Sequence, residues 1–130
     1  MPAALDQRIK RIGQVAIIAK DLERATAFYR DRLGLKHLFT VPRMSFFECG
    51  GTRLMVGLAE SPEFEHCSSI LYFDTTDIES FHTGLVEAGV KSEGDPHKVA
   101  DLGDRDLWLA FFRDSEGNVM ALMEEKPHAK

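Results

Sequence analysis

The chain has 130 residues, 44% of them apolar and 28% charged, with a net charge of −5. This length suits one ordinary domain, which can bury roughly two-thirds of its unfolded surface and needs no disulfide or metal staple. The composition excludes a disordered chain, the acidic balance gives no reason to expect duplex DNA or an anionic membrane surface as partner, and no apolar run approaches the roughly 18 residues of a membrane-spanning helix.

Residues 1–13 carry Arg8, Lys10 and Arg11 with no apolar stretch behind them, so a secretory signal is not expected. An apolar run through Val15, Ile17 and Ala19 leads to Asp21. After it, Leu22, Ala25, Phe28, Tyr29 and Leu33 fall on one helical face, with Gly34 behind them. Asp21 reads as the N-cap, with Glu23 at the favourable end of the helix dipole. Strands are predicted over 35–41, 44–49 and 52–58, the last two joined by the hairpin signal Gly50-Gly51. Residues 60–66, with Pro62, read as a connection. Cys49 and Cys67 lack C-x-x-C spacing and suggest reduced thiols in a cytoplasmic protein.

The pattern then begins again. Leu71-Tyr72-Phe73-Asp74 leads to Asp77-Ile78-Glu79, 56 residues after Asp21-Leu22-Glu23. Ile78, Phe81, Leu85 and Ala88 form the second helical face, closed by Gly89. A short strand is predicted over 90–93, and 97–105 is too polar to assign. Strands follow over 107–113 and 119–123, around a turn at 114–118, and the tail from Glu124 reads as loose. The expected fold is α+β: one domain over 1–130, with tandem βαβββ modules at about 12–58 and 68–124. Side by side they would make one curved, eight-stranded mixed sheet with a concave cleft suited to a ligand.

These features resemble the vicinal oxygen chelate superfamily, which includes glyoxalase I, extradiol dioxygenases, methylmalonyl-CoA epimerase and bleomycin-resistance proteins. The resemblance rests on Gln14-Val15-Ala16-Ile17, Asp21-Leu22-Glu23-Arg24-Ala25, Phe28-Tyr29 and Leu33-Gly34-Leu35. It ends in Phe112-Arg113-Asp114-Ser115-Glu116-Gly117-Asn118, where Ser115 replaces the usual Pro. It spans about 12–124. Enzymes of this superfamily hold a divalent metal through the first and fourth strands of each module. The resemblance places those positions at Gln14, Met55, Ile70 and Ala121. Gln14 alone is a donor of the usual kind, and Met, Ile and Ala offer a hard cation almost nothing. No divalent metal or other cofactor is therefore expected.

The remaining polar candidates are few. His97 lies in a loop that the resemblance places beside the cleft, where it could bind a ligand or act as a general base, or simply face solvent. Asp74 shares strand parity with Ile70 and Tyr72 and is either a polar anchor in the cleft or a strand-end carboxylate. Glu48 is either edge-exposed or a cleft group. His82 reads as a partly exposed helix residue, and His37, His66 and His128 as strand, connection and tail residues. Tyr72, Trp108 and the other strand aromatics suit a cleft for a planar or apolar ligand. The reading is a small-molecule binding protein with a degenerate metal site. Gln14, Met55, Ile70, Tyr72, His97, Trp108 and Ala121 are its ligand-binding candidates, and a homodimer its expected assembly. The alternative is a lyase, isomerase or dioxygenase, using a metal on relocated ligands or His97 or Asp74 as acid or base.

Overall fold

Both repeats begin with the same capped helix. Strand β1 (Gln14–Ala19) runs into Asp21, whose carboxylate accepts from the Arg24 N–H at 3.0 Å and starts α1 (Leu22–Ala27). Strand β5 (Tyr72–Asp74) leads to Asp77, which accepts from the Ser80 N–H at 3.1 Å and starts α2 (Ile78–Glu87). Each carboxylate satisfies a donor that the first helical turn leaves without an intrahelical partner. Gly34 and Gly89 end the helical segments at φ 73° and 89°, a region that favours glycine. The first segment is not the uniform helix its spacing predicts. It widens into a π turn over Phe28–Arg32, where the Leu33 N–H reaches the Phe28 carbonyl, and neighbouring Phe28 and Tyr29 are both buried.

The computed structural model describes residues 11–59, 62 and 69–128. The first module continues with β2 (Lys36–Val41), β3 (Met44–Cys49) and β4 (Thr52–Leu58). The second continues with β6 (His97–Asp101), β7 (Arg105–Arg113) and β8 (Val119–Pro127). Strand orders are β1-β4-β3-β2 and β5-β8-β7-β6, each with one parallel pair at the start and antiparallel pairs after it. Ala16 pairs with Met55 as Tyr72 pairs with Ala121, so the repeat holds residue by residue and Gln14 corresponds to Ile70. The hydrogen-bonded ladders run within modules. They give two four-stranded sheets, where one eight-stranded sheet was expected.

The structure corrects three further expectations. The strand predicted over 90–93 is a helix exit, where the Val90 N–H returns to the Leu85 carbonyl and only Ser92 bridges Phe112. The strand of that part of the module is β6, in the polar segment left unassigned. The tail from Glu124 is not loose, because β8 pairs with β7 as far as Pro127. His82 is buried and bonds Ser92 at 2.9 Å, because α2 turns it towards the segment that follows the helix. His66 and Cys67 lie outside the described residues.

One apolar core serves both modules. Ile17, Tyr29, Phe47 and Val56 from the first join Ile78, Leu85, Phe112 and Leu122 from the second. The modules are also tied by the turn between β7 and β8. Glu116 is buried there, and one of its carboxylate oxygens accepts the Lys20 and Asp21 N–H groups at 2.7 and 2.8 Å. Arg24 grips the same carboxylate with Nε at 2.7 Å and Nη2 at 3.0 Å, and Ser115 Oγ adds a bond at 2.9 Å. Asp114 accepts the Tyr29 hydroxyl at 2.7 Å, and the Asn118 amide donates to the Ile18 carbonyl at 2.9 Å.

Burial alone would push the Glu116 carboxyl up, but the bonds from Arg24, Asp21, Ser115 and Lys20 outweigh it and hold the group at about 2. A depressed carboxyl stabilises the fold fully above its unfolded value of 4.5 and loses that contribution as pH falls towards 2. The shift corresponds to about 3 kcal/mol. Urea unfolding should therefore show stability falling between pH 5 and pH 2 by about that amount. Glu116→Gln should cost about 2–3 kcal/mol at pH 6 and flatten this dependence.

Candidate functional site

The side chains of β1 alternate. Val15, Ile17 and Ala19 turn toward the core, and Gln14 and Ala16 turn to the outer face. Strand register carries this outer face across the first sheet. Gln14 lies opposite Arg53, Ala16 opposite Met55, Met55 opposite Phe46, and Phe46 opposite Phe39. Arg53 Nε donates to Gln14 Oε1 at 2.7 Å, and its guanidinium carbon lies 5.0 Å from the centre of the Phe46 ring. Gln14 Nε2 has Met55 Sδ at 3.9 Å, and the Phe39 and Phe46 rings lie 4.6 Å apart. Glu48 is half-buried and accepts the Gly51 N–H at 2.6 Å, which fixes the hairpin. Arg11, Gln14, Leu38, Glu48, Gly51 and Arg53 border a pocket of about 550 Å3. A mainly apolar pocket of about 350 Å3, lined by Ile18, Pro42, Arg43, Met44, Met55 and Leu58, continues this outer face beyond Met55.

On the second sheet, Tyr72, Ala121 and Phe111 make one outer row, with the Tyr72 and Phe111 rings edge-on at 6.3 Å. Ile70 precedes β5 and is 40% exposed, and Tyr72 is 48% exposed. Asp74, Met123, Leu109 and His97 make the next row. Two strands separate Asp74 from His97, about 14 Å at the usual strand spacing, so they do not form an acid–base pair. His97 is exposed, and its Nδ1 donates to the Asp95 carbonyl at 3.0 Å. Asp74 borders a polar pocket with Thr75, Thr76, Arg105 and Glu124.

Trp108 is not on the outer face. It shares parity with Ala110 and Phe112, packs against the core, and carries Lys126 Nζ 4.1 Å above its ring. Burial, and then the charge of Glu48, push the Cys49 thiol up, so it is a poor nucleophile at neutral pH. Cys49 borders a pocket of about 200 Å3 between the modules, with Val15, Arg53, Leu71 and Tyr72.

The four positions that correspond to superfamily metal ligands do not fit a divalent cation. Ile70, Met55 and Ala121 supply no hard donor, and the Gln14 carbonyl already accepts from a guanidinium. A second cation at that oxygen would face the Arg53 charge directly. Sequence reasoning missed Arg53, although its parity with Met55 in β4 was available as a signal. It also missed a cluster in which His128 Nδ1 lies 2.8 Å from Asp106 and 3.6 Å from Asp101. Lys98 Nζ, 3.4 Å from Asp106, supplies positive charge there.

The sequence profile of the Glyoxalase/Bleomycin resistance protein/Dioxygenase superfamily matches residues 11–122. The chain therefore belongs to that superfamily. Among solved structures, it is similar to a superfamily member from Sphaerobacter thermophilus, with a TM-score of 0.75, 25% identity, and coverage of 90% of this chain and 98% of that one. A lactoylglutathione lyase from Agrobacterium tumefaciens has a TM-score of 0.72 at 22% identity, covering 91% of this chain and 96% of that one. The uncharacterized protein YraH of Bacillus subtilis is 29% identical over 129 residues, covering 86% of this chain and 96% of that protein.

The two faces of the sheets should respond differently to truncation. Trp108→Ala should cost about 2–3 kcal/mol in urea unfolding, through lost core packing. Arg53→Ala should change stability by less than about 0.5 kcal/mol.

Proposed function

We infer that this chain is a small-molecule binding protein, with its ligand held on the outer sheet faces and no divalent metal at the position used by the superfamily's enzymes. The contact between Arg53 and Gln14 carries this reading, since it places a fixed organic cation against the one retained donor. Phe39, Phe46, Met55, Tyr72 and Ala121 give the outer faces an apolar and aromatic lining that suits an apolar or aromatic ligand. Phe39, Val41, Ile70 and Tyr72 are exposed in the single chain. A second copy covering part of these faces, in a homodimer, would remove that surface from water. Among the described residues, no helix is long and apolar enough to cross a membrane. A free Cys49 fits a cytoplasmic setting.

The enzyme alternative, with a metal on relocated ligands or with His97 or Asp74 as acid or base, has weaker support, because His97 is exposed and its Nδ1 is bonded to a backbone carbonyl. Thermal melts with Mn, Ni and Zn separate the metal-free reading from an enzyme that holds a metal on relocated ligands. A binding protein of this kind gains no stability from any of them, whereas a metal bound only by the folded state would raise the melting temperature. Stoichiometric metal coordinated by Gln14 would overturn the inference. Titration with the neutral fluorophore N-phenyl-1-naphthylamine should show saturable binding that Met55→Glu weakens roughly tenfold. Sedimentation at micromolar concentration should give a dimer, and a monomer would remove the proposed assembly.

A further inference from the structure

We propose that the outer face of the first sheet carries a carboxylate-binding subsite built on Arg53, so that its ligand is an organic monocarboxylate with an aromatic or aliphatic body. This rests on the binding-protein reading and adds the chemical class of the ligand. Arg53 is held at two points, by its Nε on Gln14 Oε1 at 2.7 Å and by its guanidinium over the Phe46 ring. Those contacts fix the plane of the group and leave its two Nη atoms without a hydrogen-bond partner among the described residues. No carboxylate pairs with Arg53 among those residues, although Glu48 is its register neighbour on β3. A guanidinium oriented by its Nε and open at both Nη atoms presents the fork that a carboxylate matches with two parallel bonds.

The surroundings narrow the class further. The pocket of about 550 Å3 beside Arg53 is large enough for a small organic molecule. Its bordering charges are Arg11, Arg53 and Glu48. Arg11 is tethered through Nη1 to the Gly51 carbonyl at 2.8 Å and adds positive charge at the rim, whereas Arg53 is the cation whose plane is fixed. The Glu48 charge in the same pocket penalises a doubly charged phosphate more than a singly charged carboxylate. Gln14 Nε2, whose hydrogen-bond neighbour among the described residues is only a thioether sulfur at 3.9 Å, is a second donor beside the fork. Leu38 is the large apolar side chain that borders the pocket, and Phe46, Met55 and Phe39 lie beyond it in register on the same face, where the apolar body of a longer ligand would rest. Val119 occupies the place of Arg53 in the second module, so the subsite belongs to the first sheet alone.

The test compares two probes of the same shape, 2-naphthoate and 2-naphthamide, by calorimetry and by two-dimensional NMR on labelled protein. The carboxylate should bind roughly tenfold or more tightly than the amide, and its perturbations should centre on Gln14, Phe46 and Arg53, including the Arg53 Nε–H. Arg53→Gln should reduce the preference to about threefold or less, and Arg53→Lys, which keeps the charge but not the fork, should fall between. Equal affinity of the native protein for both probes at this face would overturn the carboxylate subsite while leaving the binding-protein reading intact. A preference that survives Arg53→Gln would also overturn it, by placing the recognition elsewhere. Absence of binding by either probe at millimolar concentration would defeat both. The comparison of the two probes on the native protein needs no variant to fold.

Discussion

The arrangement of the two modules depends on one buried carboxylate. Glu116 sits in the second module, yet most of its bonds go to the first: two backbone N–H groups at the end of β1 and the guanidinium of Arg24 on α1. A charge withdrawn from water is costly unless every oxygen is satisfied, and this one accepts from five donors. The same turn delivers Asp114 to the Tyr29 hydroxyl and Asn118 to the Ile18 carbonyl, so three consecutive polar contacts define how one module meets the other. Apolar packing alone could tolerate small rotations between the sheets. Directional bonds at 2.7 to 3.0 Å cannot, and they fix where the outer faces stand.

Much of the fold was legible because its signals are local. Each Asp before an amphipathic run is a cap whose partner lies three residues on, and alternation in β1, β3 and β4 follows from which side chains reach the core. Strand β6 was not legible. It is an edge strand facing solvent, so His97, Lys98 and Asp101 carry no apolar alternation, and its identity comes from pairing with β7. The end of β8 hides for a related reason. Glu124 and Lys126 look like tail residues, yet Glu124 accepts the Ile78 N–H at 2.9 Å and Lys126 covers Trp108.

The site divides in the same way. The loss of ligand chemistry at Met55, Ile70 and Ala121 could be read by position, since the repeat supplies a ruler. What replaced it was legible only as far as parity, which puts Arg53 on the face of Met55 without saying what it meets. An arginine in a strand ordinarily faces water, and nothing in the neighbouring text says that its guanidinium would meet a glutamine on a strand 39 residues earlier. Trp108 was placed on the wrong face for the opposite reason. Aromatic character suggests both a ligand wall and a core, and only register distinguishes them.

The two parallel pairs are alike in direction but unequal in extent. β1 and β4 share six rungs, from Gln14 opposite Arg53 to Ala19 opposite Leu58, whereas β5 and β8 share three. The duplication has therefore kept its topology while letting the cohesion of its halves drift apart. The seam along β5 is the shorter one, and apolar contact of Leu71 and Phe73 with the shared core stands in for the missing rungs.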